Sequence, residues 1–241
     1  MNELMNRLNL MDCMEGMKQF PDKYFDLAIV DPPYGIGMSN KKSSTSGMVK
    51  QKSGNYLKVN AVKYINKFWD CKTPNKEYFN ELFRISKNQI IWGGNYFIEH
   101  LYNTKCFILW DKLNKNNKYS DFEMAWTSFD RGCKKLDYLW DGFSQGKNYI
   151  EGSIQQGNKK LNEKRIHPTQ KPTMVYRWLL QNYAKKGDKI LDTHVGSGSS
   201  LIACIEEGFE YCGFEIDEDY YNSAQKRIEE VQAQGKLFAP Q

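Results

Sequence analysis

The 241-residue chain has only three histidines and six cysteines, and neither set has metal-binding spacing. No two cysteines stand as Cys-x-x-Cys, and the histidines form no His-x-x-x-His or His-Glu-x-x-His pattern, so no metal site is expected. Cys106, Cys204 and Cys212 lie among apolar residues and read as reduced core thiols of a cytoplasmic protein. Long apolar runs are also missing. Nothing approaches the roughly 20 residues of a bilayer span, and the N-terminus lacks a basic flank followed by an apolar stretch. Neither a membrane anchor nor a secretory leader is therefore expected. Acid is absent from one stretch: Gly35 to Trp69 carries lysines at 41, 42, 50, 52, 58, 63 and 67 and no Asp or Glu. A solvated loop has that composition, and so does a phosphate-facing segment; the net charge of +5 leans mildly toward a polyanion.

An apolar content of 40% is enough for a sizeable core, and the length fits one large α/β domain with an insertion or a small second unit. Leu8–Asp12 reads as a short strand ending in an acid, followed by a short helix over 14–20. Phe25–Val30 is an apolar run that reads as a buried strand, and Asp31-Pro32-Pro33-Tyr34 follows it without a gap. The prolines fix φ and remove two donors, leaving carbonyl acceptors beside a carboxylate and a flat ring. Such a stiff tip suits a planar, amine-bearing group such as a nucleobase. The competing reading is a tight turn after a strand. The basic segment of about 36–60 reads as a mobile loop, either a lid or a simple insertion.

Downstream, Asn75 caps a helix over 77–86, strands are expected at 89–92 and 106–110, and 122–127 alternates weakly as an edge strand would. Residues 131–165 show no sustained period and read as an insertion. His167-Pro168-Thr169-Gln170-Lys171-Pro172 opens a helix whose start is an anion site by geometry and dipole. Lys189–Asp192 is a strand, Gly196-Ser197-Gly198 a tight turn, Leu201–Glu207 a helix, and Glu210–Phe214 a strand closing on Glu215; a last polar helix runs to about 232.

Strand, Gly-x-Gly turn, helix, strand and acid make a nucleotide-binding βαβ unit, with Glu215 19 residues past Gly196 where an acid takes ribose hydroxyls. Leu201 stands where a dinucleotide fold needs its third glycine, and no Gly-Lys-Ser/Thr follows, which excludes a P-loop. A nucleoside cofactor without pyrophosphate remains, and S-adenosyl-L-methionine fits. Glu215 would take its ribose, the helix start near Thr169 its carboxylate, and Asp12 its adenine.

These motifs, Asp31–Tyr34, His167–Pro172 and Asp192-Thr193-His194-Val195-Gly196-Ser197-Gly198-Ser199, resemble in that order those of amino-DNA methyltransferases of the permuted β group. His194 stands where that family prefers Phe, and Ser199-Ser200 where it prefers Thr-Thr. The resemblance implies a Rossmann-like methyltransferase fold, a mostly parallel sheet with helices on both faces. Residues 1–130 would form the catalytic half, 131–165 a target-recognition insertion and 166–235 the cofactor-binding half. It implies S-adenosylmethionine-dependent transfer of methyl to adenine N6 of a flipped base in double-stranded DNA, since Asp rather than Ser opens the first motif.

Asp31, Pro32, Pro33 and Tyr34 would be catalytic. Asp12, Asp31, His167, Thr169, Lys171, Asp192, His194, Gly196, Ser197, Gly198, Ser199, Glu215 and Ile216 would hold the cofactor. Lys41, Lys42, Lys50, Lys52, Lys159, Lys160 and Arg165 would meet DNA. Cytosine N4, RNA or a protein amide would suit the same tip, and a binding protein without turnover or a nicotinamide oxidoreductase are readings of other classes. A homodimer, and a restriction endonuclease partner or none, are compatible with the chain.

Overall fold

The structure, a computed structural model, describes residues 3–37, 47–50, 56–59, 70–114, 120–141 and 144–238; 47–50, 56–59 and 235–238 are described by backbone alone. In the first part of the chain, β1 (Arg7–Leu10), α1 (Cys13–Met17) and β2 (Phe25–Val30) precede a short antiparallel hairpin, β3 (Gly47–Lys50) and β4 (Tyr56–Val59). Then come α2 (Lys76–Ile85), β5 (Ser86–Trp92), β6 (Phe107–Asp111), β7 (Phe122–Thr127), β8 (Lys134–Asp137) and the small pair β9 (Trp140–Asp141) and β10 (Ser144–Gln145). The last part holds α3 (Thr173–Tyr183), β11 (Lys189–Asp192), α4 (Ser199–Glu207), β12 (Glu210–Glu215) and α5 (Glu218–Phe238).

Eight strands form one sheet in the order β1-β12-β11-β2-β5-β7-β6-β8. Only β7 runs against the others. Its central strands are buried on both faces, which is why β2 and β5 read as apolar runs rather than alternations. Leu27, Ile29, Ile90 and Trp92 face α3, α4 and α5, while Ala28, Val30 and Ile91 face α1 and α2. Helix α2 starts at Asn75, whose side chain accepts from Tyr78 N at 3.1 Å, and buries Tyr78, Phe79, Leu82 and Ile85 at helical spacing. The expected mostly parallel sheet with helices on both faces is what forms.

The junction of β11 and β2 positions the site. These strands come from distant parts of the chain yet pair in parallel, Ile190 opposite Leu27 and Leu191 opposite Ala28. From here the chain winds outward in both directions, through α4 to β12 on one side and α2 to β5 on the other. That is a topological switch point, where the carboxyl ends of strands leave a crevice. Asp31 follows β2 and Asp192 ends β11, so the two motifs open on the same sheet edge.

Three expectations need correction. Residues 122–127 are not an edge strand: β7 lies between β5 and β6, with Ala125, Trp126 and Thr127 buried. Its first half reaches the sheet end, exposing Phe122 and turning Glu123 into the crevice, which breaks the burial pattern an interior strand would show. Residues 134–137, placed in the insertion, extend the main sheet as β8 beside β6; four residues with one buried side chain, Leu136, carry no readable period. The segment 36–60 contains the hairpin of β3 and β4, whose strands are likewise too short to signal themselves. No helix among the described residues is long and apolar enough to cross a membrane.

Candidate active site

Asp31, Pro32, Pro33 and Tyr34 line a cleft of about 750 Å³ together with Tyr96, Glu123, Thr169 and Lys171. Asp31 uses both carboxylate oxygens. The Tyr34 hydroxyl donates to Oδ1 at 2.5 Å, and the Lys171 ammonium donates to Oδ2 at 2.6 Å and to the Tyr34 oxygen at 3.1 Å. Lys171 is 3% exposed and also forms an ion pair with Glu123 Oε2 at 2.9 Å. Glu123 Oε1 in turn meets the Lys112 ammonium at 2.7 Å. Two acids thus alternate with two cations.

The electrostatics follow from that alternation. Burial raises the Asp31 pKa above the ordinary range, with Lys171 opposing and Glu123 adding to the rise. Burial would also protonate Glu123, but Lys171 and Lys112 outweigh it and hold the pKa at about 2. Burial works against the Lys171 charge, yet Asp31 and Glu123 more than compensate and its pKa is raised. Tyr34, buried beside Asp31, is pushed well above 10 and stays a donor.

Lys171, expected among the cofactor residues, is drawn into this acid cluster. Glu123 and Lys112 were not expected in the site; one charge on either side of the turn that joins two apolar strands is the sequence signal for them. Asp70 was also missed. It accepts from Gly35 N through Oδ1 at 2.8 Å and from Gly37 N through its carbonyl at 3.1 Å, pinning the chain just after the tip.

The glycine loop lies beside the tip. Gly196 and Gly198 have φ of 55° and 82°, which glycine adopts without strain. Glu215, at the end of β12, accepts from Gly196 N at 2.8 Å and from Asp217 N at 2.9 Å; burial raises its pKa. Asp192 accepts from His194 N at 2.9 Å and from the Ser200 hydroxyl, and burial pushes its pKa up to about 7. His194 is held neutral by burial, down to about 4, and its Nδ1 lies 2.9 Å from Thr193 Oγ1. Ser197 and Ser199 hydroxyls lie 3.0 Å apart. His167 sits above Gly196, packs on Tyr220 at 4.3 Å, and its Nδ1 is 3.1 Å from the Thr169 hydroxyl. Asp12 caps α1 by accepting from Met14 N at 2.7 Å, next to the paired ends of β1 and β12, and Ile216 is exposed at the loop mouth.

The start of α3, expected as an anion site, is already filled. Glu163 Oε2 accepts from Thr173 N at 2.8 Å, while Oε1 takes Gln170 at 2.8 Å, Arg227 at 2.7 Å and the Ser199 hydroxyl at 3.1 Å. Of the expected DNA-contacting residues, Lys159 and Lys160 are exposed on the turn Lys159–Leu161. Arg165 is tied to Pro168 O at 3.2 Å and packs its guanidinium over Trp140. Lys50 ends β3; Lys41, Lys42 and Lys52 lie outside the described residues. Among the described residues no group of acids, cysteines and histidines could hold a metal ion.

The chain is similar to several known proteins. The type II methyltransferase M.HinfI of Haemophilus influenzae is 26% identical over 95% of this chain and 70% of its own length. YubD of Escherichia coli strain K12 is 24% identical over 95% and 92%. Among solved structures, the M1.HpyAVI–SAM complex matches 92% of this chain and 98% of its own at TM-score 0.52 and 19% identity. The Thermus thermophilus protein TTHA0409, complexed with S-adenosyl-L-methionine, matches 93% and 95% at TM-score 0.51 and 16% identity. The cytosine-N4-specific PvuII DNA methyltransferase matches 94% and 91% at 0.50 and 12%. These likenesses at low identity establish the fold. A family model described as DNA methylase, covering N6 and N4 methyltransferases, matches residues 25–226, from the strand that carries the Asp-Pro-Pro-Tyr tip through the glycine loop and into α5, and the chain belongs to that family.

Proposed function

We propose that the protein transfers a methyl group from S-adenosyl-L-methionine to adenine N6 of a base flipped out of duplex DNA. The observation that carries this is the meeting of the Asp31–Tyr34 tip and the Gly196–Gly198 loop at one switch point, through the pairing of β2 with β11. The loop suits a nucleoside cofactor. A Cβ on Gly196 would meet nothing closer than His167 at 3.8 Å, so the backbone at Gly196 is open to a ligand, and Glu215 ends the adjoining strand. Glu215, Asp12, His194, Ile216 and the Gly196–Ser199 backbone would hold the cofactor. Bound there, it supplies an electrophilic methyl group.

The chain's own residues prepare the amine. Asp31 keeps lone pairs free after its bonds to Tyr34 and Lys171, because a carboxylate accepts about four. It would accept an N–H of the target amine and so weaken the conjugation of the nitrogen lone pair with the ring. Lys171 and Tyr34 fix the carboxylate so that positioning supplies most of the rate. Asp31 need not act as a strong base, since the methylated ammonium product is acidic enough to release its proton to solvent. Because the target atom is unreachable inside a duplex, the base enters the cleft flipped. The part of residues 131–165 outside β8 would read the sequence, with Lys159 and Lys160 meeting phosphates.

Asp at 31 supports adenine over cytosine, and the same tip would serve cytosine N4. Expressing the protein in a methylation-free host and mapping modified bases by long-read sequencing is expected to reveal N6-methyladenine at one short sequence, and none with Asp31→Ala. N4-methylcytosine would move the assignment to the other amine. Unmodified DNA, or marks that persist in the variant, would overturn it.

A further inference from the structure

Tyr34 is held on several sides. Its hydroxyl is tied to Asp31 and Lys171. Gly93, at φ 67°, packs so close that a Cβ there would lie 2.3 Å from Tyr34 Cε1 and 2.6 Å from Cζ. Phe97 meets the ring edge-on at 6.1 Å. Tyr96 covers a stacking face of the ring, with ring centroids 4.9 Å apart and planes within 13°. A base that stacks on Tyr34 needs the surface that Tyr96 occupies.

Tyr96 is built differently from its partner. It is 43% exposed and lines the cleft. Its backbone is fixed: Tyr96 N donates to Gly93 O at 2.8 Å, Gly93 N donates to Met124 O at 2.9 Å, and a Cβ on Gly94 would lie 2.5 Å from Trp126 Cβ. The turn therefore cannot withdraw as a loop, and the ring moves by side-chain rotation about a fixed Cα. Admitting a base between the two rings replaces one stacking contact with two in series, so the centroids must part well beyond their present 4.9 Å.

We propose that Tyr34 and Tyr96 are the two jaws of a clamp for the flipped base, closed on each other when no base is present. Tyr34 is the fixed jaw and Tyr96 the moving one, a positioning residue that stacks on the outer face of the base and keeps it against Asp31. The inference rests on the reading of the cleft as a target-base site. Stacking on one aromatic ring corresponds to about a ten- to hundredfold gain in affinity.

The test compares two duplexes carrying the mapped site, one with the target base and one abasic at that position. Wild type, Tyr96→Ala and Tyr96→Phe are titrated with each in the presence of cofactor. The ratio of affinities, base over abasic, is expected to fall about ten- to hundredfold in Tyr96→Ala and to be kept in Tyr96→Phe, with affinity for the abasic duplex and for the cofactor unchanged. A loss shared equally by both duplexes would make Tyr96 a fold or backbone contact and sink the clamp, as would a ratio that does not move. The two readings fail separately. A wild type that leaves DNA unmethylated removes the enzyme, whereas a wild type that methylates while Tyr96→Ala keeps its ratio removes only the clamp.

Discussion

Without the Lys171 ammonium, Asp31 and Glu123 would face each other as like charges in a site that is largely closed to water. Lys171→Met keeps the length of the side chain and removes the charge. Breaking a buried ion pair by deleting one partner costs about 3–5 kcal/mol, and the partial exposure of both acids reduces that to about 2–4. The catalytic effect is the more specific one. Lys171 lowers a pKa that burial and Glu123 raise. Its loss lets that pKa climb further, so the acid limb of kcat/KM moves to higher pH and activity at neutral pH falls about a hundredfold or more. Cofactor affinity is expected to stay. A pH–rate profile checks this, and an acid limb at the wild-type position would mean that Asp31 does not feel Lys171. In the wild type, Glu123 sits below its ordinary 4.5 at about 2, so the stability it contributes is complete above 4.5 and is lost as pH falls toward 2.

At the scale of elements, Glu163 ties four segments together. It accepts from Thr173 N at the start of α3, from Gln170 in the motif before that helix, from Ser199 at the start of α4 and from Arg227 in α5. Its own backbone is held by the Gln145 side chain, at 2.8 Å to both N and O, from β10. Removing it leaves Arg227 without its carboxylate and α3 without a cap. Glu163→Ala is expected to lose about 2–4 kcal/mol in urea denaturation and to weaken cofactor binding by loosening the Ser197–Ser199 loop. Calorimetric titration of the cofactor checks the second effect; full affinity would mean that the loop keeps its shape without this tie.

Glu163 also shows what was legible and what was not. The strands β2, β5, β6, β11 and β12, the helix at Asn75 and both motifs were readable, because apolar runs, caps and glycine turns are local signals. Glu163 was not, because its partners come from distant segments and a lone acid among lysines has no period. The pairing of Lys171 with Asp31 was not legible for the same reason: the two lie 140 positions apart in the chain. Strands β3, β4 and β8 were missed because four residues show no alternation and no motif stands beside them, whereas β11, equally short, is marked by the glycine turn that follows it.

For the whole molecule, a net charge of +5 leaves open which cations meet DNA. The structure separates two kinds. Lys159 and Lys160 stand exposed on their turn in the segment proposed to read DNA. Arg165, a few residues on, spends its guanidinium on Pro168 O and the Trp140 ring. Each phosphate that is no longer neutralised lowers the slope of log affinity against log salt by about 0.9. The double replacement Lys159→Ala with Lys160→Ala is therefore expected to reduce that slope by about 2, with thermal stability unchanged. Arg165→Ala is expected to do the reverse, lowering the melting temperature and leaving the slope as it was. Affinities measured from about 50 to 200 mM salt, paired with melting curves, decide between them. If the lysine pair leaves the slope alone, this face of the molecule does not meet the phosphates, and the DNA path must run elsewhere past the cleft.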